Sequence, residues 1–567
     1  MTGPPYAPTI PNMIRYLAER HGDREALVRG DRRVTFAGLE RESAALAKGL
    51  LARGLGKGSR IGLMMPNSPD WAAVFVAAAR IGAIVIPMST LYQAPEMRYV
   101  IGHADLGALV IAPRYLRHDY IERLERAFPD LRGQGRDRLV LQDAPHLRSI
   151  LVWGDVEAGW ATAPAALVEA AANEPRFDDR ILAAVEASVT PADHACIIYT
   201  SGSTAEPKGV VHNHGPLVRH SYQMAADFWP LGEGDRIGSV RPFFWVAGLS
   251  ATLFHSLHNG GCLIYVDPDT PAEVRRLIEE DGLTALTGTA AWMAGIDADA
   301  AFADRRYRIL RIANDCSGVA EAQGAGYAFR NPRLGRLVAG RALPFPNALI
   351  PKNFGMTETL GSHTAEPAPA LIPAQKQGAI GRVVPGVVQR IVDPQTRRAL
   401  PPGELGELLV RGYSLMDGLY KRERQTVFDE EGLYPTGDLC TLDEDGYLYF
   451  TGRAREMVKV HGANVAPLEV EAVLDAMDEI ERSAVVGLPI GDGDSLLVAA
   501  VTPRGSANID EATLLQRLKG QLSSYKVPKR IFFMTEDELP VTGSGKIKKP
   551  ELAEQLGALV SGAAKSG

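Results

Sequence analysis

The chain has 567 residues, 46% of them hydrophobic and 23% charged, an ordinary globular balance on a chain too long for one core, so at least two domains are expected. Its net charge of -7, from 61 basic and 68 acidic residues interspersed along the chain, excludes a global basic field that would recruit nucleic acid or an anionic membrane. Cys196, Cys262, Cys316 and Cys440 lie far apart with no C-x-x-C pair, which disfavours a structural zinc site and a disulfide framework and points to the reducing cytoplasm.

The N-terminus lacks the basic start, apolar run and small-residue cleavage site of a secretory signal. Residues 35–55 are amphipathic at helical spacing, 59–67 form a short apolar run ending in a turn, 71–82 are helical again, and 83–88 are strand-like. The apolar stretch 72–88 is interrupted by Arg80 and closes on Pro87, so it reads as a buried helix and strand and not as a transmembrane segment. This βαβ alternation predicts layered α/β structure with a largely parallel sheet.

Residues 155–190 are rich in Ala, Glu and Pro and read as a connection between subdomains, after which DHACIIYT (193–200) starts a new strand. Beyond about residue 375, short strand-like pieces such as GELLVRG and GYLYFTG, divided by Gly, Pro and Asp, predict a compact β subdomain ending near Gly452. From there a hairpin-like VKVHGANVAP, a helix at 468–477, strands at 483–489 and 495–503, a helix at 510–522 and a strand at 530–534 predict a small α+β domain. The expected division is therefore 1–452 and 453–567.

Directly after the strand CIIY stands Tyr199-Thr200-Ser201-Gly202-Ser203-Thr204-Ala205-Glu206-Pro207-Lys208-Gly209. Hydroxyls and backbone N–H groups in a small-residue loop wrap phosphate oxygens, and the lysine supplies a point charge. Pro207 and Gly209 stand where a Walker A loop needs its second glycine and its magnesium-binding hydroxyl, so the segment is a polyphosphate cradle of another kind. It resembles the signature of the adenylate-forming superfamily, which includes acyl-CoA synthetases, peptide-synthetase adenylation domains and beetle luciferases. Ala205 replaces a usual glycine.

Further stations match that family in order. Asn353-Phe354-Gly355-Met356-Thr357-Glu358 is similar to its Y-G-x-T-E segment, with Phe354 in place of tyrosine. The resemblance implies that Phe354 covers adenine and that Thr357 reaches the α-phosphate and carboxylate. It also implies that Glu358, with Thr200 as a second contact, holds Mg2+, an ion bound by few protein carboxylates. Asp438 and Arg453 resemble the ribose-binding stations. Gly543-Ser544-Gly545-Lys546 looks like the catalytic-lysine loop of a mobile C-terminal domain, with the hinge at Arg455. Lys459 is expected to face the nucleotide or the thiol, and Gly462 to leave room for pantetheine.

Pro242–Gly248 resembles the segment gating the carboxylate pocket, with Trp245 in the gating place and Gly248 beside it; core packing is the alternative for a Phe-Phe-Trp run. Cys316–Glu321 departs from the family's S-G-G-A-P at Val319 and Glu321. His212-Asn213-His214 has H-x-H spacing but no neighbouring Cys or acid to complete a tetrahedral metal set, and His214 is expected to serve local hydrogen bonding.

The resemblance implies an acyl-CoA synthetase using ATP, Mg2+ and coenzyme A on a small-molecule carboxylate. Trp245 and the apolar run 249–257 favour a hydrophobic acid. Rival readings are a ligase loading a carrier protein, a P-loop kinase or NTPase, and a nucleotide sensor. A homodimer is the default expectation for a soluble enzyme.

Overall fold

The computed structural model describes the chain except residues 1–2, 137–138, 156–157, 201–205, 229–230, 268–270, 289–309, 314–352, 367–372, 377, 454–457, 466, 492–493, 506–508, 541–546 and 564–567. The apolar run before residue 65 becomes the strand Arg60–Met64 at the middle of an eight-stranded sheet. Its neighbours Ile84–Pro87, Ala108–Ile111 and Ser149–Val152 continue that sheet in parallel. Ile84–Pro87 and Ala108–Ile111 are buried along their whole length, as a strand covered on both faces must be. His194–Thr200 joins beside Ile84–Pro87 in parallel, and Lys208–Asn213 returns antiparallel to it.

The helix Pro69–Arg80 starts where Ser68 Oγ accepts the Trp71 N–H (3.1 Å) and Pro69 fills the first turn. Arg80, the charge that interrupts the apolar run, is 3% exposed. It is neutralised in place by Glu186, by Glu40 (2.8 Å) and by the Ser43 hydroxyl (3.0 Å). Three helices are thereby tied together: Phe36–Ala52, Pro69–Arg80 and Asp179–Ala187.

The 155–190 stretch is thus not a bare connection. It forms the short edge strand Ala161–Thr162 and the helices Ala165–Asn173 and Asp179–Ala187. The first of these lies so close on Phe36–Ala52 that a Cβ at Gly49 would stand 2.3 Å from the Leu167 carbonyl oxygen.

A second, six-stranded sheet has the order Leu310–Ala313, Ala285–Gly288, Arg236–Ser239, Cys262–Tyr265, Glu25–Arg29, Arg32–Thr35, parallel except for the last pair. The β subdomain is a seven-stranded antiparallel sheet that begins at Asn353, earlier than the expected 375, because the hairpin of Asn353–Met356 and Gly361–Ala365 adds two strands at its edge. These strands are short and partly polar, and the burial periodicity that announces a strand is weak in them.

In the C-terminal domain the strands Ile480–Gly491, Asp494–Pro503 and Arg530–Phe533 form one sheet. Alternate residues face opposite sides: Val485, Leu497, Ala499 and Val501 meet the helices Pro467–Asp475 and Glu511–Lys519. Ala484, Val486, Val498 and Ala500 meet Leu552 and Leu556 of a further helix, Lys549–Ala563. Cys196, Cys262 and Cys440 are free and buried, and burial pushes the Cys196 thiol up to about 12, leaving it unreactive. Among the described residues no helix is long and apolar enough to cross a membrane.

Replacing Arg80 by Ala leaves buried Glu186 with only the part-exposed Arg15 (3.4 Å) as counter-charge, and is expected to cost about 3 kcal/mol of stability. A denaturant titration reads this directly; a midpoint equal to that of the parent protein would remove the buried network from its structural role.

Candidate active site

Thr200 and Lys208 are cross-strand partners in the pair His194–Thr200 and Lys208–Asn213, so the chain between them connects strand to strand. A P-loop runs from strand to helix, and the kinase or NTPase reading is thereby removed. Ser201, Gly202, Ser203 and Thr204 lie outside the described residues. The neck of the loop is fastened from the side: Tyr99 donates its hydroxyl to the Pro207 carbonyl (3.2 Å), and His103 Nδ1 meets the Tyr199 hydroxyl (2.7 Å).

Farther along the returning strand, His212 is fully buried, and its Nε2 donates to the Thr357 carbonyl (2.8 Å). This contact joins the loop-bearing sheet to the turn Thr357–Thr359. The turn is closed by Leu360 in the left-handed region (φ 59°). Gly355 is required beside it, since a Cβ there would stand 1.9 Å from the Gly361 carbonyl oxygen. Met416 N donates to the Glu358 carbonyl (2.7 Å), and the Tyr434 hydroxyl donates to Glu358 Oε1 (3.3 Å).

Tyr434 begins the strand Tyr434–Leu442, and Asp438, fully buried, lies on that same strand. Its cross-strand partner in register is Arg453, on Tyr447–Arg453. Phe354 packs edge-on against His363 (5.2 Å between ring centres, 82°) and tilted on Phe450 (5.2 Å, 42°). The structure therefore places Thr200, Lys208, Phe354, Thr357, Glu358, Asp438 and Arg453 on two sheets, with the His212 imidazole bonding from one to the other and the Tyr434 phenol bonding within the second.

The remaining expected residues divide. Arg455, Lys546 and the stretch Cys316–Glu321 lie outside the described residues. Half-buried Lys459 and exposed Gly462 (φ 80°) sit on the hairpin of Val458–Val460 and Ala463–Val465, whose turn is held within the C-terminal domain by His461 N donating to Asp494 (2.7 Å). No described contact brings them to the nucleotide stations. The Phe-Phe-Trp run splits between its two readings: Phe243 and Phe244 are core residues, whereas Trp245 is half-exposed and meets Tyr525 of the C-terminal domain edge-on (6.4 Å, 88°). Gly248 admits no side chain, because a Cβ would fall 1.9 Å from the Pro242 carbonyl oxygen.

Sequence reasoning missed the polar interior behind Phe354. His220 Nδ1 meets the Tyr413 hydroxyl (3.2 Å), Tyr413 donates to Gln223, and Gln389 Nε2 donates to Thr364 (2.6 Å) beside His363. The run 249–257 is likewise mixed: Ser250, Thr252, His255 and Ser256 are buried with Leu249, Leu253 and Leu257. The available signal was the recurrence of histidine inside otherwise apolar segments. His212 has a structural bond to Thr357, and His214 Nδ1 accepts the N–H of Ile10 (3.3 Å), a long-range partner 204 positions away where local bonding was expected.

The layered α/β domain with its antiparallel β subdomain, a smaller α+β domain following it, and the stations in their order along the chain define the adenylate-forming class. The AMP-binding enzyme family profile matches residues 14–420, and the AMP-binding enzyme C-terminal domain profile matches 469–546. The chain belongs to the AMP-binding enzyme family and is an enzyme of its AMP-forming ligase kind. It is 29% identical over 574 residues to the acyl-CoA ligase SID4 of Ajellomyces capsulatus, covering 96% of this chain and 91% of that one. Its fold is shared by the amide bond synthetase McbA of Marinactinospora thermotolerans (TM-score 0.74, 23% identity, 96% and 99% covered). The o-succinylbenzoate CoA synthetase MenE of Bacillus subtilis shares it too (TM-score 0.70, 20% identity, 96% and 98% covered).

Burial lowers His212 and His363 from 6.5 to about 3, His212 also feeling its bond to Thr357 in the opposite sense. Each ring binds a proton in the unfolded chain as pH falls through 6.5, but in the folded chain only near 3, so stability is retained above 6.5 and eroded below it. Each is expected to cost about 2 kcal/mol at pH 5 relative to pH 7. Thermal unfolding at the two pH values checks this, and His212→Asn should flatten the dependence; an unchanged slope in that variant would count against a neutral buried imidazole.

Proposed function

We propose that the chain is an ATP-dependent carboxylate–CoA ligase, and the assembly of the loop neck, the Thr357-Glu358 turn and the Asp438–Arg453 pair by His212 and Tyr434 carries the reading. A carboxylate is a poor acylating agent because its oxygen does not leave. In the first half-reaction a carboxylate oxygen of the acid bonds to the α-phosphorus of ATP, the bond to pyrophosphate breaks, and an acyl-adenylate forms. In the second, the thiol of coenzyme A attacks the acyl carbon, AMP leaves, and the thiol proton passes to solvent.

Two anions meet in the first step, so catalysis is chiefly positioning and charge neutralisation. Asp438 accepts the ribose hydroxyls, Arg453 lies beside it, and Phe354 flanks the adenine. Lys208 and the hydroxyls of Thr200, Ser201, Ser203 and Thr204, with Gly202, hold the phosphates, while Thr357 holds the α-phosphate and the acid. Glu358 offers a single hard carboxylate at a place where, among the described residues, no cluster of three His, Cys, Asp or Glu stands. That sparse donor set fits Mg2+, which keeps water and phosphate as its other ligands. Glu358, with Thr200, would hold the ion, and the ion would neutralise phosphate charge.

Lys546 is the cation of adenylation, delivered by a C-terminal domain of residues 453–567 that turns about Arg455 against the domain of residues 1–452. The same domain then brings Lys459 and Gly462 to the thiol. Trp245, beside Gly248, stands at the acyl entrance and supports a hydrophobic aliphatic, alicyclic or aromatic acid.

A panel of carboxylates scored for ATP–pyrophosphate exchange, and separately for thioester by mass spectrometry, tests the proposal. Lys546→Ala is expected to lose exchange at least about a hundredfold while still converting supplied acyl-adenylate to thioester. Undiminished exchange in that variant would take Lys546 out of the first half-reaction, and carrier-bound product in place of acyl-CoA would change the acceptor.

A further inference from the structure

The two domains meet through buried charge. Lys526, on the turn Ser524–Lys526 of the C-terminal domain, is 2% exposed, and its ammonium lies 2.6 Å from Glu469 of its own domain and 2.9 Å from Glu96 of the large one. Ser523, fully buried, donates its hydroxyl to the same Glu96 carboxylate (3.1 and 2.9 Å to the two oxygens). Glu96 is itself held ready: its Oε2 accepts the Gln93 N–H (2.9 Å) in the capping box of the helix Ala94–His103. The neighbouring Tyr525 meets Trp245 edge-on, so the joint lies beside the residue at the acyl entrance.

An apolar joint of this kind would hold the domains fixed. A carboxylate–ammonium joint recovers hydration when it opens, so its net contribution is small, while its demand on geometry when closed is strict. Moreover, the Lys526–Glu469 pair travels with the C-terminal domain, so separation leaves Lys526 neutralised and leaves Glu96 on its helix cap. Neither side is abandoned as an isolated buried charge.

We infer that Glu96 is a positioning residue: with Ser523 and Lys526 it forms a reversible latch that holds the C-terminal domain in one working pose and so sets the balance between the two half-reactions. The turn Ser524–Lys526 packs beside the strand Ala463–Val465, which follows Gly462 directly. The latched face is thus the one bearing the hairpin assigned above to the thiol, and the direction of the effect rests on that reading. The latch favours thioester formation.

Glu96→Gln keeps an oxygen for the helix cap and removes the charge facing Lys526; Ser523→Ala removes only the hydroxyl. Three quantities decide the matter: ATP–pyrophosphate exchange, thioester formation from supplied acyl-adenylate, and amide hydrogen exchange over residues 520–530. Glu96→Gln is expected to lower the ratio of transfer to exchange about tenfold and to speed hydrogen exchange over that segment, with Ser523→Ala moving both in the same direction by less. Unchanged hydrogen exchange in both variants overturns the latch. So does a loss of both half-reactions in equal proportion, which is the mark of a merely structural residue. A wild-type protein with no pyrophosphate exchange on any acid would count against the ligase reading instead, and the latch would then be judged on hydrogen exchange alone.

Discussion

A single neutral imidazole couples the two halves of the nucleotide site. His212 belongs to the strand Lys208–Asn213, and Thr357 to the edge of a different sheet; their 2.8 Å bond ties the first sheet to the turn Thr357–Thr359. Burial keeps the ring uncharged, so it can orient the turn without adding a positive charge there. Tyr434 completes the arrangement from the other side by reaching Glu358 from the strand that also carries Asp438. Three stations far apart in the chain thus share two hydrogen bonds, and a shift at one is felt at the others.

Parallel strands covered on both faces must be apolar throughout, and this made Ile84–Pro87 and the strand ending at Thr200 readable from the chain alone. The apolar run of Asp494–Pro503, buried continuously from Leu497 to Thr502 between helices on both faces, was equally plain. The helices at 165–173 and 179–187 were not, because an Ala- and Glu-rich composition with prolines serves a linker as well as a helix; Gly49 and Arg80, which receive them, lie elsewhere in the sequence. The hairpin at 353–365 was hidden for a related reason. Its strands are set by the close approach of Gly355 to Gly361 and by a left-handed Leu360, which are backbone facts with little side-chain pattern.

At the candidate site, the expected roles rest on residue type and spacing: the Ser/Thr/Gly loop, the T-E pair, the aspartate and the lysine. Residues that act by position were not legible in that way. His212 and Tyr434 each look ordinary in sequence, and so does Glu96, which the structure shows in the capping box of Ala94–His103. Its second role exists only because a segment more than four hundred positions later folds back to it. Such long-range pairings leave no periodicity to detect.

The described residues on either side of 541–546 bear on how Lys546 is presented. Lys548 N donates to the Pro540 carbonyl (2.7 Å), pinching together the two ends of the segment between them, and the helix Lys549–Ala563 begins at once and is anchored by Leu552 and Leu556. What resembles a dispensable tail is therefore a doorpost. A chain cut short before that helix would still contain the lysine, yet would present it on a loose end, with the entropy of its placement restored and the reach of its charge no longer defined.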